Sequence, residues 1–277
     1  MRGRIMAEIR VLLLGDIVGA PGLAMFEKHI ASLREQYKVD ALIVNGENSA
    51  QGKGITPRIA KFFMEKGVDI ITTGNHIWRR KEIYGYLAEN KTLLRPNNYP
   101  NTCPGTGVAT FLCKGTTVGV INVQGRVFMF DNIDCPFRSA KSAVSYLATK
   151  TKVILVDVHA EATSEKAALA NYLDGTVSGV VGTHTHVPTS DERIMPNGTA
   201  FVTDLGMAGA QDSIIGVQKG AVVNAFTTAM PNRFTVETQG PGVLSGVCIT
   251  INSVSGKATA IERVHIVDND FNFDATA

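Results

Sequence analysis

Eight residues with nitrogen or oxygen lone pairs, Asp16, Glu47, Asn48, Asn75, His76, His159, His184 and His186, each follow a short apolar run closely. Neutral imidazoles with carboxylate and amide oxygens suit divalent first-row metals. No CxxC pair occurs among Cys103, Cys113, Cys135 and Cys248, which argues against a thiolate zinc site. About seven such donors over-supply one ion and serve two well, and Glu47 has two oxygens with which to bridge them. Two ions about 3.5–4 Å apart bind a shared hydroxide and clamp phosphoryl oxygens. His76 directly follows Asn75, so it can face a substrate while Asn75 faces metal, which makes it the candidate proton donor; the competing role is to orient Asn75. If His184 and His186 lie on a strand, they share a face because side chains repeat every two residues.

Taken singly, these signals are weak. An Asp after a strand usually caps a helix or makes a turn, and Asn45-Gly46 or Gly74-Asn75 alone would be turns. Their joint occurrence at five strand ends is what points to a site. His29, His265, Trp78, the methionines and the cysteines are assigned to packing.

The elements that would position the eight residues read as alternating buried strands and amphipathic helices. Ile9–Leu14 ends at Gly15-Asp16 and feeds a helix from near Pro21 to about Tyr37. Ala41–Val44 runs into Asn45-Gly46-Glu47-Asn48, and Thr56-Pro57 opens the next helix. Asp69–Thr73 stops at Gly74-Asn75-His76. Val118–Val123 is a further strand; Val153–Val158 leads to His159 and a helix at about Ser164–Leu173; Val177–Val181 leads to Gly182-Thr183-His184-Thr185-His186. In open α/β sheets, ligands bind at the carboxyl ends of strands. A hairpin is expected across 194–201, a Gly-rich loop over 204–216 at the site's entrance, and strands near 234–236, 243–251 and 258–266.

The chain has 277 residues, 44% hydrophobic and 19% charged, with a formal net charge of +2. That length buries a sizeable core, and the charge does not suit a protein that coats nucleic acid. Residues 1–277 read as one domain, with 1–7 an extension before the first strand. No segment approaches a membrane span or a secretory signal, and cytoplasmic, reduced thiols are expected.

The blocks Gly15-Asp16, Gly46-Glu47-Asn48, Gly74-Asn75-His76, Asp157-Val158-His159 and Gly182-Thr183-His184-Thr185-His186 resemble, in order and spacing, those of the calcineurin-like metallophosphoesterases. Leu14–Gly19, Asn45–Ser49, Thr73–Trp78, Arg95–Pro100 and Thr203–Met207 are similar, more narrowly, to the bacterial YmdB subfamily. The resemblance implies a four-layer α/β/β/α sandwich of two mixed sheets flanked by helices. It further implies a di-iron or di-manganese centre and cyclic-nucleotide phosphodiesterase activity, including on 2′,3′-cyclic AMP. Two departures from the wider superfamily are Val18 where a histidine ligand is usual and Glu47 where the bridging residue is usually Asp. By resemblance to the subfamily, Asp16, Glu47, Asn48 and His186 hold one metal, and Glu47, Asn75, His159 and His184 the other.

The expected reaction is in-line attack by the shared hydroxide on a phosphodiester, with His76 protonating the leaving alkoxide. Arg79, Arg80 and Arg126 are the nearest cations for a phosphate or base, although surface solvation is the favoured role of each. The alternatives are a phosphomonoesterase or 5′-nucleotidase on the same centre, and a regulatory protein that binds a nucleotide or RNA end with incidental turnover. A homo-oligomer is expected.

Overall fold

In β1 (Glu8–Ile17) the side chains of Ile9, Val11 and Leu13 join one apolar cluster while Leu12 and Leu14 join another, and both sets are buried. A strand apolar on both faces has to be covered on both. The computed structural model describes residues 8–271 and 273, so the expected extension at 1–7 lies outside the described residues. In chain order β1 is followed by α1 (Gly19–Tyr37), β2 (Ala41–Asn45), α2 (Pro57–Glu65), β3 (Ile70–Thr72), α3 (Ile83–Glu89), β4 (Val108–Cys113) and β5 (Thr116–Gln124). Then come α4 (Pro136–Ala148), β6 (Val153–His159), α5 (Thr163–Leu173), β7 (Gly179–Thr183), β8 (Arg193–Ile194), β9 (Ala200–Val202), β10 (Met207–Ala210), α6 (Lys219–Thr228), β11 (Gly242–Asn252) and β12 (Ala258–Asp268).

Two six-stranded mixed sheets result, ordered β12-β11-β10-β1-β2-β3 and β4-β5-β6-β7-β9-β8. Ile9, Val11, Leu13 and Ile43 of the first pack against Val118, Val120, Leu155 and Val181 of the second. Phe26 of α1 and Phe63 of α2 meet edge to face over Leu12 and Leu14 on the outside of the first sheet. Val144 and Leu147 of α4 and Leu169 of α5 cover Ile121, Ile154 and Val156 on the outside of the second. The layers are therefore α/β/β/α. No helix among the described residues is long and apolar enough to cross a membrane.

The face between the sheets changes character toward the carboxyl ends of the parallel strands. On β6, Val153 and Leu155 are followed on the same face by Asp157 and His159; on β5, Val118 and Val120 are followed by Asn122 and Gln124. Asn45 ends β2 and Thr72 ends β3 at the same level. The fold thus sets a buried polar layer at one end of the inter-sheet core, and the loops carrying the candidate residues lie there.

Three sequence expectations need correction. Residues 204–216, expected as loop, include β10, which is buried and sits beside β1 with Asp16 opposite Met207. Its Met-Ala-Gly-Ala sequence lacks the β-branched residues that mark strands; backbone pairing on both sides sets it. That pairing also carries β1 on to Ile17, past the expected end at Leu14, with a register shift between Leu14 and Asp16. A side chain at Gly15 would collide with the Gly206 carbonyl, so glycine is required at this crossing. Finally, among the described residues 234–236 forms only a single bridge, Val217 to Val236, flanked by backbone hydrogen bonds from Gln218 to Thr235 and from Glu237 to Gly216.

Candidate metal centre

The structure brings all seven expected ligands and His76 to one end of the inter-sheet core, where Asp16, Glu47, Asn48 and His159 are essentially inaccessible to solvent. Glu47, His159 and His184 each aim one ligand atom into a space where these atoms all lie within 4.8 Å of one another. His159 Nε2 stands 3.0 Å from Glu47 Oε1, 3.0 Å from Asn75 Oδ1 and 3.0 Å from His184 Nδ1. A second group meets at the same glutamate oxygen. Asn48 Nδ2 is 3.2 Å from Glu47 Oε1, 3.3 Å from Asp16 Oδ1 and 3.0 Å from His186 Nε2, with His186 Nε2 3.7 Å from Asp16 Oδ1. Metal–ligand bonds of about 2.0–2.2 Å put adjacent ligands about 3 Å apart, the spacing found here.

The hydrogen bonds around the three histidines fix where their protons sit. The Thr183 hydroxyl donates to Asp157 Oδ1 at 2.7 Å, so it can only accept from His159 Nδ1 at 2.9 Å. Glu161 Oε2 lies 3.2 Å from His184 Nε2, and the Ile215 carbonyl 2.7 Å from His186 Nδ1; both accept the ring proton. Each imidazole therefore turns an unprotonated nitrogen toward the cluster. Burial holds His159 down to about 4 and His184 down to about 3, so both rings are neutral at pH 7. Around His159, nitrogen and oxygen lone pairs of Glu47, Asn75 and His184 thus face one another with no proton between them, whereas in the second group the Asn48 amide nitrogen donates to Asp16 and Glu47. Burial also raises the Asp16 carboxyl, against the pull of His186 and His159. Among the described residues no lysine or arginine pairs with Asp16 or Glu47; their ionic partners are histidines. A cation is what this donor set fits.

Backbone shape is part of the site. Any side chain at Gly74 would collide with the His159 ring and Glu47, so this glycine lets the β3 loop approach the cluster. The two-residue alternation expected for His184 and His186 is corrected: β7 stops at Thr183, and both histidines adopt left-handed backbone, with φ of 99° and 66°. Such conformations persist where the surroundings impose them. Here the His184 amide donates to Asp16 Oδ2 at 3.0 Å and the Thr185 amide to Asp204 Oδ2 at 3.3 Å.

Asp204 is itself held by Lys166 at 2.6 Å, a pair with exposures of 0% and 1% that sequence reasoning missed. Replacing Lys166 with Met leaves the Asp204 carboxylate buried and unpaired, for which about 3–5 kcal/mol of lost stability is expected. Urea unfolding measures this; a loss under about 1 kcal/mol would mean that the pair does not hold the loop.

Beneath the cluster, Asp157 accepts from Thr183, Thr72 and Asn45 Nδ2, the last at 3.1 Å. Burial pushes its carboxyl up to about 7. A carboxylate inside the Val-rich β6 run was the available signal for this second layer.

His76 lies at the mouth. Its Nδ1 is 2.7 Å from Asn48 Oδ1 and its amide donates to Glu47 Oε2 at 3.1 Å. Burial lowers its pKa, opposed by Glu47. Its side chain contacts Asn48 and, at 3.5 Å, Glu47 Oε1, rather than Asn75. The Trp78 ring stands nearly perpendicular to those of Tyr84 and Tyr99, in edge-to-face contact. Of the three candidate arginines, Arg80 is tied to the Ala50 and Lys53 carbonyls, while Arg126 is exposed. Residues 204–216 do reach the site, through the Ile215 carbonyl.

A family model described as YmdB-like protein matches residues 12–264. A Bacillus subtilis (strain 168) protein named 2′,3′-cyclic-nucleotide 2′-phosphodiesterase is 44% identical over 266 residues, 96% of this chain and 100% of the relative. A crystal structure of a novel phosphatase from Mycoplasma pneumoniae superposes with a TM-score of 0.90 at 32% identity, over 96% of this chain and 95% of that one. A hypothetical protein from Thermus thermophilus gives a TM-score of 0.85 at 40% identity, over 94% of this chain and 100% of that one. With the fold, the clustered donors and these matches together, the chain belongs to the YmdB-like protein family.

Proposed function

We propose that this protein is a dinuclear metal-dependent phosphodiesterase that hydrolyses 2′,3′-cyclic nucleotides, among them 2′,3′-cyclic AMP. RNA ends that carry a 2′,3′-cyclic phosphate present the same reacting group and belong to the substrate class. The observation that carries this reading is the set of three histidines whose protons point away from a common centre while their lone pairs point into it. The activity named for the Bacillus subtilis relative supports the choice of substrate.

In this reading Asp16, Glu47, Asn48 and His186 hold one ion, and Glu47, Asn75, His159 and His184 the other. Carboxylate and amide oxygens beside imidazole nitrogens favour iron or manganese, most clearly at the first set. When bound, two such ions supply a nucleophilic oxygen at neutral pH and neutralise charge on the phosphoryl oxygens. The protein's own part is to position and protonate. Asp157, through Thr183, keeps the His159 proton on Nδ1; Glu161 keeps the His184 proton on Nε2. Ligation by Asn48 requires its carbonyl to face the cluster, and half a turn about Cβ–Cγ exchanges its oxygen and nitrogen. The amide nitrogen then donates to His76 Nδ1, which leaves the ring proton on Nε2, the nitrogen free to serve the leaving alkoxide.

Thr183→Val is expected to weaken manganese binding about 10–100-fold, with Thr183→Ser restoring it; titration calorimetry reads both, and equal affinity in all three proteins would remove the hydroxyl from the account. Turnover of a bis-aryl phosphodiester and 2′,3′-cyclic AMP against an aryl phosphomonoester tests the reaction class. Faster hydrolysis of both diesters is predicted; preference for the monoester would make the protein a phosphomonoesterase.

A further inference from the structure

Between β5 and α4, residues 125–135 form a stapled loop that starts beside the donor cluster. Gln124 is in register with His159, and the Gly125 amide donates to the His159 carbonyl at 2.9 Å. The Glu165 carboxylate accepts from the Arg126 amide at 3.0 Å and the Val127 amide at 3.0 Å; Gln124 Nε2 donates to Asp131 Oδ2 at 2.8 Å. On the return, Ile133 is buried in the cluster that contains Tyr99, with Trp78 packed against it two residues from His76. The loop therefore joins the His159 side of the mouth to the His76 side.

Its tip is built in the opposite sense. Phe128 and Phe130 are 81% and 104% exposed, on a turn closed by the Met129 amide on the Arg126 carbonyl at 3.2 Å. Phe128 adopts φ of 62°, a left-handed backbone that glycine takes more readily. Two large apolar rings are thus held in water at a position of conformational strain, by staples that fix the loop before anything binds. Phe128 is three residues beyond Gly125, at most about 11 Å along the chain. A base on a ribose whose phosphate lies at the histidines extends over a comparable length. Arg126, also exposed, belongs to the same turn.

We propose that Phe128 and Phe130 are a stacking platform for the substrate's nucleobase, so that the site selects cyclic phosphates that carry a base and tolerates which base it is. This rests on the phosphodiesterase reading. Aromatic faces suit every base, and stacking on them is worth about five- to 150-fold in affinity per base.

The test compares wild type with Phe128→Ala, Phe130→Ala and the double variant, each loaded with manganese, on 2′,3′-cyclic AMP and on ribose 2,3-cyclic phosphate, which has no base. The ratio of kcat/KM for nucleotide over base-free ester is expected to fall about tenfold or more in the double variant, through KM, and to recover in Phe128→Tyr. An unchanged ratio overturns the platform, whether or not the overall rate falls. So does an unchanged ratio with a shift in oligomeric state on gel filtration, which would assign the rings to contact between copies. If wild type hydrolyses neither ester, the phosphodiesterase reading fails separately. Calorimetry of adenosine 3′-monophosphate against inorganic phosphate then reads the contribution of the base directly: its loss in the double variant upholds the platform and its persistence overturns it.

Discussion

Glu47→Gln is expected to remove bound metal and to lower kcat/KM for a phosphodiester by roughly 10³-fold or more. Glu47 Oε1 is the one oxygen that both donor groups share, 3.0 Å from His159 Nε2 and 3.2 Å from Asn48 Nδ2. An amide has the same shape but half the acceptor oxygens and no charge, so it cannot serve two cations at once. Metal ions contribute several kcal/mol to stabilising charge in such transition states, and each increment of about 1.36 kcal/mol is tenfold in rate. Elemental analysis together with turnover reads the result. A metal-replete, fully active Glu47→Gln protein would refute the bridging role.

His76→Ala has the second-largest expected effect, and the effect depends on the leaving group. A positioned acid contributes about 10²–10⁴-fold, so hydrolysis of 2′,3′-cyclic AMP, which must expel an alkoxide, should slow within that range. A diester with an aryl leaving group needs little protonation and should be far less affected. Because His76 touches Asn48 at 2.7 Å, the variant could instead act on the ligand it contacts. Manganese affinity separates the two: it should stay within a few-fold of wild type if His76 is the acid. Equal losses with both leaving groups, or a large loss of affinity, would make His76 a residue that only orients Asn48.

Much of this arrangement was legible in the sequence because strand ends are marked chemically. Val-, Ile- and Leu-rich runs stop at Gly-Asp, Asn-Gly-Glu-Asn, Gly-Asn-His and Thr-His-Thr-His, and a parallel sheet carries such ends to one edge. The candidate ligands did converge. What escaped was set by partners remote in the chain. Met207–Ala210 forms a central strand although its small side chains give no strand signal, since backbone pairing to β1 and β11 determines it. His184 and His186 converge through two left-handed residues held by Asp16 and Ile215, a conformation that residue spacing does not encode. Asp157 stood in the recognised motif without a role, because its function is to face Thr183, Thr72 and Asn45 from other strands. Lys166 is buried on Asp204, 38 residues away, where a helix lysine would ordinarily be assigned to solvent.

The claim on which the account stands is that these side chains hold two ions across one glutamate. Anomalous diffraction from crystals of the wild-type protein grown with manganese addresses it directly. Two peaks about 3.5–4 Å apart, one on each side of Glu47, one among Asp16, Asn48 and His186 and the other among Asn75, His159 and His184, are the predicted result. A single peak, or manganese bound elsewhere with this cluster empty, would contradict it.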